Sequence, residues 1–184
     1  MEEKLKGVPP NSIVLLEIPF EMNQLELIAS FLKFSQKDKG IYVSSNRPVS
    51  DLIEKLAAYK FDIGNALETG MMCVVDLVSR SIGADEVKRC IYVSSPSELS
   101  ATQVAIEEAI KRIDGGAGKN WLLVDSISTL LVFSSSGSIL QFLHFLVGRL
   151  RVQRFNGIIF TVEDSVDERT LSTLRQFCDM VIRL

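Results

Sequence analysis

The sequence predicts an α/β fold with a mainly parallel sheet, formed by a single domain over residues 1–184. Three observations carry this reading. Short apolar runs of four to eight residues recur along the chain, as expected of strands buried on both faces. Amphipathic stretches at helical spacing alternate with them. Pro, Gly and Ser/Asp signals punctuate the alternation, and no low-complexity linker divides it.

Taken in order, a turn at residues 7–12 leads into an apolar run read as a strand over 12–18 and ended by Pro19. The helix that follows is expected to begin near Met22, with Met22, Leu25, Ile28, Ala29 and Leu32 on one stripe. A second strand is read at 41–45, then a helix opened by Pro48 and running to about Tyr59 with Leu52, Ile53, Leu56 and Ala57 inward. Strands follow at 72–78 and 91–95. Ser95-Pro96-Ser97-Glu98 reads as a helix start, and Ile106, Ala109, Ile110 and Ile113 form its inner face. After a glycine loop come a strand at 121–125, a strongly apolar helix at about 138–153 and a strand at 157–162. Ser165 to Glu168 has the spacing of a capping box for a helix through Phe177, and a strand at 179–184 closes the chain.

Composition narrows the function. The chain is 47% hydrophobic and 23% charged with a net charge of −3, which offers no general attraction to nucleic acid. Cys73, Cys90 and Cys178 are far apart and without a CxxC, so reduced buried thiols are expected rather than a disulfide framework or zinc site. His144 is the only histidine. It makes multi-histidine metal sites and a Ser-His-Asp triad unsuitable readings, and its apolar surroundings predict a packing role. The charged amino terminus lacks the apolar core of a signal peptide, and the longest apolar run, 139–150, is short for a membrane span. A soluble, cytoplasmic protein is expected.

Several motifs have competing readings. The GGAGK at 115–119 has the look of a phosphate-binding loop, but a predicted helix precedes it and a strand follows, so a plain turn is the better reading. The pentapeptide IYVSS occurs at 41–45 and 91–95 with unmatched flanks, so chance reuse is preferred to duplication. Glu17, Asp125, Glu163 and Asp164 are expected near the carboxyl ends of neighbouring strands, either as a cation or small-molecule site or as solvated and capping acids. The helix at 138–153 is apolar on more than one face, through core packing or through contact with another subunit. Arg149, Arg151 and Arg154 read as its solvated end.

The stretch NSIVLLEIPFEMNQLELIASFL at 11–32 resembles the opening of the RecA-like domain of KaiC-type ATPases, including archaeal KaiC-like proteins. The family pattern, roughly GSVVLVTGPPGTGKTTFALQFL, overlays it without a gap. The strand and helix beginning at Gly40, VDSISTLL at 124–131 and CDMVIRL at 178–184 are similar to the family's second strand, Walker B segment and closing strand. The resemblance implies a three-layer RecA-like P-loop NTPase fold, with a mainly parallel twisted sheet and helices on both faces. The implied order, edge to edge, is closing strand, first strand, 157–162, 121–125, 40–45.

That resemblance also locates a degenerate Walker A motif. The nucleotide-site positions are Pro19, Phe20, Glu21, Met22, Asn23, Gln24, Leu25 and Asp125. Ile18 and Asn23 stand where the family has its two defining glycines, Gln24 stands for lysine, and Leu25 for Ser/Thr. Asn46 and Arg47 follow the second strand, where the family has glutamates that activate water. Only Asp125 remains of that catalytic set, so ATP hydrolysis is not expected, and neither ATP nor Mg²⁺ is expected as a cofactor. The implied role is a non-catalytic regulatory or scaffolding module whose partner is itself or an active KaiC-like ATPase. The alternatives are a nucleotide or small-ligand binder with a reshaped site and, against the acidic charge, a nucleic-acid binder.

Overall fold

The computed structural model describes residues 2–113 and 119–184. Its strands are β1 (Ile13–Ile18), β2 (Lys39–Ser44), β3 (Met72–Asp76), β4 (Ile91–Tyr92), β5 (Asn120–Asp125), β6 (Phe155–Val162) and β7 (Met180–Arg183). Its helices are α1 (Glu2–Lys6), α2 (Gln24–Phe34), α3 (Val49–Ala58), α4 (Ile63–Glu68), α5 (Ser79–Ile82), α6 (Leu99–Ile113), α7 (Ile127–Phe133), α8 (Ser136–Val152) and α9 (Glu168–Phe177).

Among the described residues the sheet has seven strands in the order β4-β3-β2-β5-β6-β1-β7, and every pairing is parallel. The five strands ordered from sequence have the expected neighbours. One correction concerns the edge: β2 is interior, because β3 and β4 continue the sheet beyond it.

The pleat divides the core. On β1, Ile13 and Leu15 face α6, α8 and α9, while Val14, Leu16 and Ile18 face α2 and α3. The same alternation separates Leu122 and Val124 from Trp121 and Leu123 on β5. Helices therefore cover both faces, and strands buried on both faces read as unbroken apolar runs rather than alternating ones. Gly40 is needed for packing: a Cβ there would lie 2.0 Å from the Trp121 ring, which meets Phe31 edge-on at 4.9 Å.

Local boundaries depart from expectation for identifiable reasons. Helix α2 starts at Gln24 rather than near Met22, because Asn23 caps it. Its buried face is Leu27, Ile28, Ala29, Phe31 and Leu32, and Met22 and Leu25 are half-buried at its margin. The strand expected at 91–95 shortens to two residues, and α6 begins at Leu99 because residues 95–98 form a turn closed by Glu98 N–H to the Ser95 carbonyl, 3.0 Å. The predicted capping box at Ser165 is not the cap. Asp167 caps α9, accepting from the Thr170 amide at 2.9 Å, while the Ser165 hydroxyl meets Ser128 at 2.6 Å. Residues 114–118, most of the glycine loop, lie outside the described residues. His144 is exposed rather than packed inside, its ring edge-on to Phe177 at 5.5 Å. All three cysteines are free, but only Cys73 is fully buried. Among the described residues no helix is long and apolar enough to cross a membrane.

Candidate functional site

The carboxyl ends of β1, β2, β5 and β6 open onto a cleft of about 790 Å³, where α/β proteins commonly bind ligands. Phe20 and Glu21 line it from the loop after β1, Gln24 from the first turn of α2, Asn46 from the loop after β2, and Ser126, Ser128 and Thr129 from the start of α7. Val132 of α7 and Val162, Glu163, Asp164 and Ser165 complete the wall. Among the described residues, no lysine or arginine lines it.

The β1–α2 loop is compact. The Met22 amide donates to the Pro19 carbonyl at 3.1 Å, forming a turn. Asn23 then folds its side chain over the helix start: its Oδ1 accepts from the amides of Leu25 (3.1 Å) and Glu26 (3.4 Å). Its Nδ2 donates to the Tyr59 hydroxyl at 2.8 Å, tying the cap to the end of α3. Two of the helix's otherwise free amides are therefore satisfied internally. Ile18, at the end of β1, is fully buried and in register with Val162. Phe20 points outward, 82% exposed, so neither it nor the half-buried Met22 fills the cleft. Asn46 Nδ2 and Gln24 Oε1 face each other at a long 3.5 Å.

Asp125 lies beneath this region, at the end of β5, and is only 1% exposed. Its Oδ2 accepts a 2.5 Å hydrogen bond from the Tyr42 hydroxyl, whereas Oδ1 has no partner among the described residues. Burial pushes the Asp125 carboxyl up to about 6 from 3.8, although the Tyr42 bond and the charge of Arg47 oppose the shift. Burial, with the carboxylate beside it, holds the Tyr42 phenol well above its usual range. Behind Asp125, the Ser45 hydroxyl accepts from the Ser126 amide at 2.8 Å and donates to the Asp125 carbonyl at 2.6 Å. The Asp125–Ser126 peptide bond is cis.

The expected gathering of four carboxylates does not occur. Glu17 projects from the other sheet face, where it is buried and held by Arg175 at 2.8 Å and Arg183 at 2.8 Å. The Arg175 hydrogen bond leads the Arg183 bond and both guanidinium charges in pulling the Glu17 carboxyl down, against the effect of burial. Asp125 points to the α2 side, and Glu163 and Asp164 are exposed on the cleft wall. Among the described residues, no cluster of three or more His, Cys, Asp or Glu could hold a metal.

Sequence reasoning missed Asp76. Buried at the end of β3, it accepts from the Val49 amide at 2.8 Å, the Val78 and Ser79 amides at 2.7 and 2.8 Å, and the Ser79 hydroxyl at 2.6 Å. It thereby supplies the cap that Pro48 cannot, joining the starts of α3 and α5. A lone Asp ending an apolar strand was the available signal. The expected solvated arginines are also engaged: Arg149 with Glu107, and Arg151 with Asp179 at 2.8 Å.

Comparison with known proteins agrees with this architecture. The chain is similar to a KaiC-like protein of the hyperthermophilic archaeon Pyrococcus horikoshii, with a TM-score of 0.73 at 18% identity over 97% of this chain and 73% of that one. It is 24% identical to the archaeal flagellar ATP-binding protein FlaH of Sulfolobus acidocaldarius, over 100% of this chain and 75% of that protein. Residues 35–184 match the family described as a family of unknown function (DUF7504). The chain thus has the KaiC-like RecA fold and belongs to the DUF7504 family.

Proposed function

We propose that this chain is a non-catalytic KaiC/RecA-like domain with a degenerate Walker A motif, acting as a regulatory or scaffolding module through protein–protein contact. The observation that carries the proposal is the closure of the α2 start by Asn23. Phosphate at a helix start depends on amides free to point at it, and here the Leu25 and Glu26 amides already have a partner.

The surrounding residues agree. Gln24 in the lysine position brings no charge, forfeiting a charge-assisted bond worth roughly 1.5–3 kcal/mol. Leu25 has no side-chain oxygen for Mg²⁺. Glu21, Glu163 and Asp164 add negative charge to a cleft without a lysine or arginine lining among the described residues. This set does not fit a magnesium nucleotide. The partners proposed are another copy of the chain or an active KaiC-like ATPase.

Titration calorimetry and thermal shift with ATP, ADP and GTP, with and without Mg²⁺, test the reading. The expected result is no saturable heat and no change in Tm at millimolar nucleotide. Saturable micromolar binding would overturn it.

A second reading is a nucleotide- or small-ligand-binding protein with a reshaped site. Its support is the open cleft, which Phe20 leaves unfilled, and the unpartnered Asp125 Oδ1 nearby. The ATP-binding name of the Sulfolobus relative points the same way. The same titrations separate the two: a saturable response lost in Gln24→Ala and Asp125→Asn supports the second.

A further inference from the structure

Three elements bring unbalanced chemistry to the cleft at the carboxyl ends of the strands. Phe20, from the loop after β1, is 82% exposed, and Val132, from α7, is 78% exposed. Among the described residues they are the two most exposed large apolar side chains, and both line this one cleft. Glu21, beside Phe20, and Glu163 and Asp164, from the loop after β6, add three exposed carboxylates to the same lining. Several acids elsewhere hold an arginine, as Glu17, Glu107, Glu108 and Asp179 do. Among the described residues none of the three cleft acids joins an ion pair, and no lysine or arginine lines the cleft. Beneath this region lies Asp125, 1% exposed, whose Oδ1 has no partner among the described residues.

We propose that this cleft is where the protein partner docks, and that the docking segment is a basic and apolar peptide stretch, a lysine or arginine with apolar neighbours. The inference rests on the protein-contact reading above and gives that contact a place and a chemistry. Charge selects the occupant's sign. Three carboxylates without an internal counter-ion repel nucleotides, nucleic acid and acidic lipid surfaces alike. A cation is drawn in, and no ion pair of the chain has to break to receive it. The apolar side chains then select among cations. Lysine and arginine carry an aliphatic stem below the charged head, so the stem lies along Phe20 and Val132 while the head reaches the carboxylates. A head over the Phe20 ring gains a cation–π contact as well. A small free amine brings no apolar neighbours and leaves most of both side chains in water, whereas a peptide stretch covers the two together. Apolar anchors beside a charged rim are the composition of a protein contact.

Fluorescence anisotropy with the full chain tests this, using three labelled peptides of alternating leucine–lysine, leucine–glutamate and glycine–lysine. The leucine–lysine peptide should bind saturably, one per chain, and more weakly as salt rises. The glycine–lysine peptide should bind about tenfold or more weakly, and the leucine–glutamate peptide not at all. Phe20→Ser, and Glu163→Gln combined with Asp164→Asn, should each lower affinity for leucine–lysine by about tenfold or more. Asp164 has φ 59°, a backbone that asparagine also adopts, and the three side chains are exposed, so unfolding curves should match wild type. Glu54→Gln, at an acid whose side chain is 80% exposed outside the cleft, should bind like wild type. No saturable binding of leucine–lysine would overturn the proposal, as would a cleft variant that binds unchanged or an equal loss in Glu54→Gln. Spermidine bound as tightly as the peptide would mark a small-amine site and overturn the protein partner. Failure here leaves the non-catalytic reading to the nucleotide titrations, so the two failures are distinguishable.

Discussion

Replacing Asp125 with asparagine should stabilise this protein at neutral pH and lose that advantage in acid. The carboxyl is buried, and its folded pKa is raised from 3.8 to about 6, mainly by burial. An acid whose folded pKa exceeds its unfolded value contributes favourably below about 3.8, and that contribution is lost as pH rises through about 6. Above that window the buried charge costs about 3 kcal/mol, at about 1.4 kcal/mol for each pKa unit. Asparagine keeps an acceptor for the Tyr42 hydroxyl and carries no charge. Its amide nitrogen would take the place of Oδ1, which has no partner among the described residues, and leaving it unsatisfied costs about 1–3 kcal/mol. The absolute gain at about pH 8 is therefore modest, but the gap between variant and wild type should shift by about 3 kcal/mol in favour of wild type as pH falls below about 3.8. Urea unfolding followed by fluorescence measures this directly, because Trp121 is the only tryptophan and is buried against Phe31. An offset that does not change with pH would refute the reasoning, as would a variant that loses stability only at high pH.

Three further outcomes follow from the packing. Asn23→Ala should lower stability by about 1 kcal/mol through loss of the α2 cap, moving Tm down by roughly 2–4 °C in differential scanning calorimetry. Glu17→Gln should cost about 1.5–3 kcal/mol at neutral pH, because two guanidinium groups lose a charged acceptor. The Glu17 pKa is depressed, so its contribution is present above about 4.5 and lost as pH falls below it; acid titration of the two proteins should show their stabilities converging. Gly40→Ala should destabilise by about 1–3 kcal/mol and shift Trp121 emission, since the new methyl meets the indole. Unchanged emission and stability would count against that contact.

The sequence marks the central strands through continuous apolar runs buried on both faces, and their order is what the resemblance carried by 11–32 implies. It did not carry the strand faces on which acids lie. Glu17 and Asp125 both stand at carboxyl ends, but the pleat sends one toward α9 and the other toward Tyr42. No local pattern separates those outcomes without knowing which helix covers which face. The Ser165 misreading has the same origin. Ser165 and Asp167 both have plausible capping spacing, and the nearby Ser128 hydroxyl, remote in sequence, engages Ser165. The apolar neighbours of His144 predict a packing role, yet α8 is apolar beyond its buried face, and His144 and Phe145 are both exposed. The short helices α4, α5 and α7 went unread: with at most seven residues each, they offer too little periodicity to register.

The burial of Ile18 has an evolutionary consequence. Gln24 and Leu25 are half-buried, so Gln24→Lys or Leu25→Thr would disturb little. Ile18 instead packs in the cluster with Leu16 and Phe160, and glycine there would remove a complete core side chain. Truncations of that kind cost about 2–5 kcal/mol, set against total stabilities of roughly 5–15 kcal/mol. Any stepwise path toward a phosphate loop thus passes through a weakened fold before nucleotide can compensate. Folding energetics act here as a ratchet, and comparing the urea midpoints of Ile18→Gly and Gln24→Lys would measure the height of its tooth.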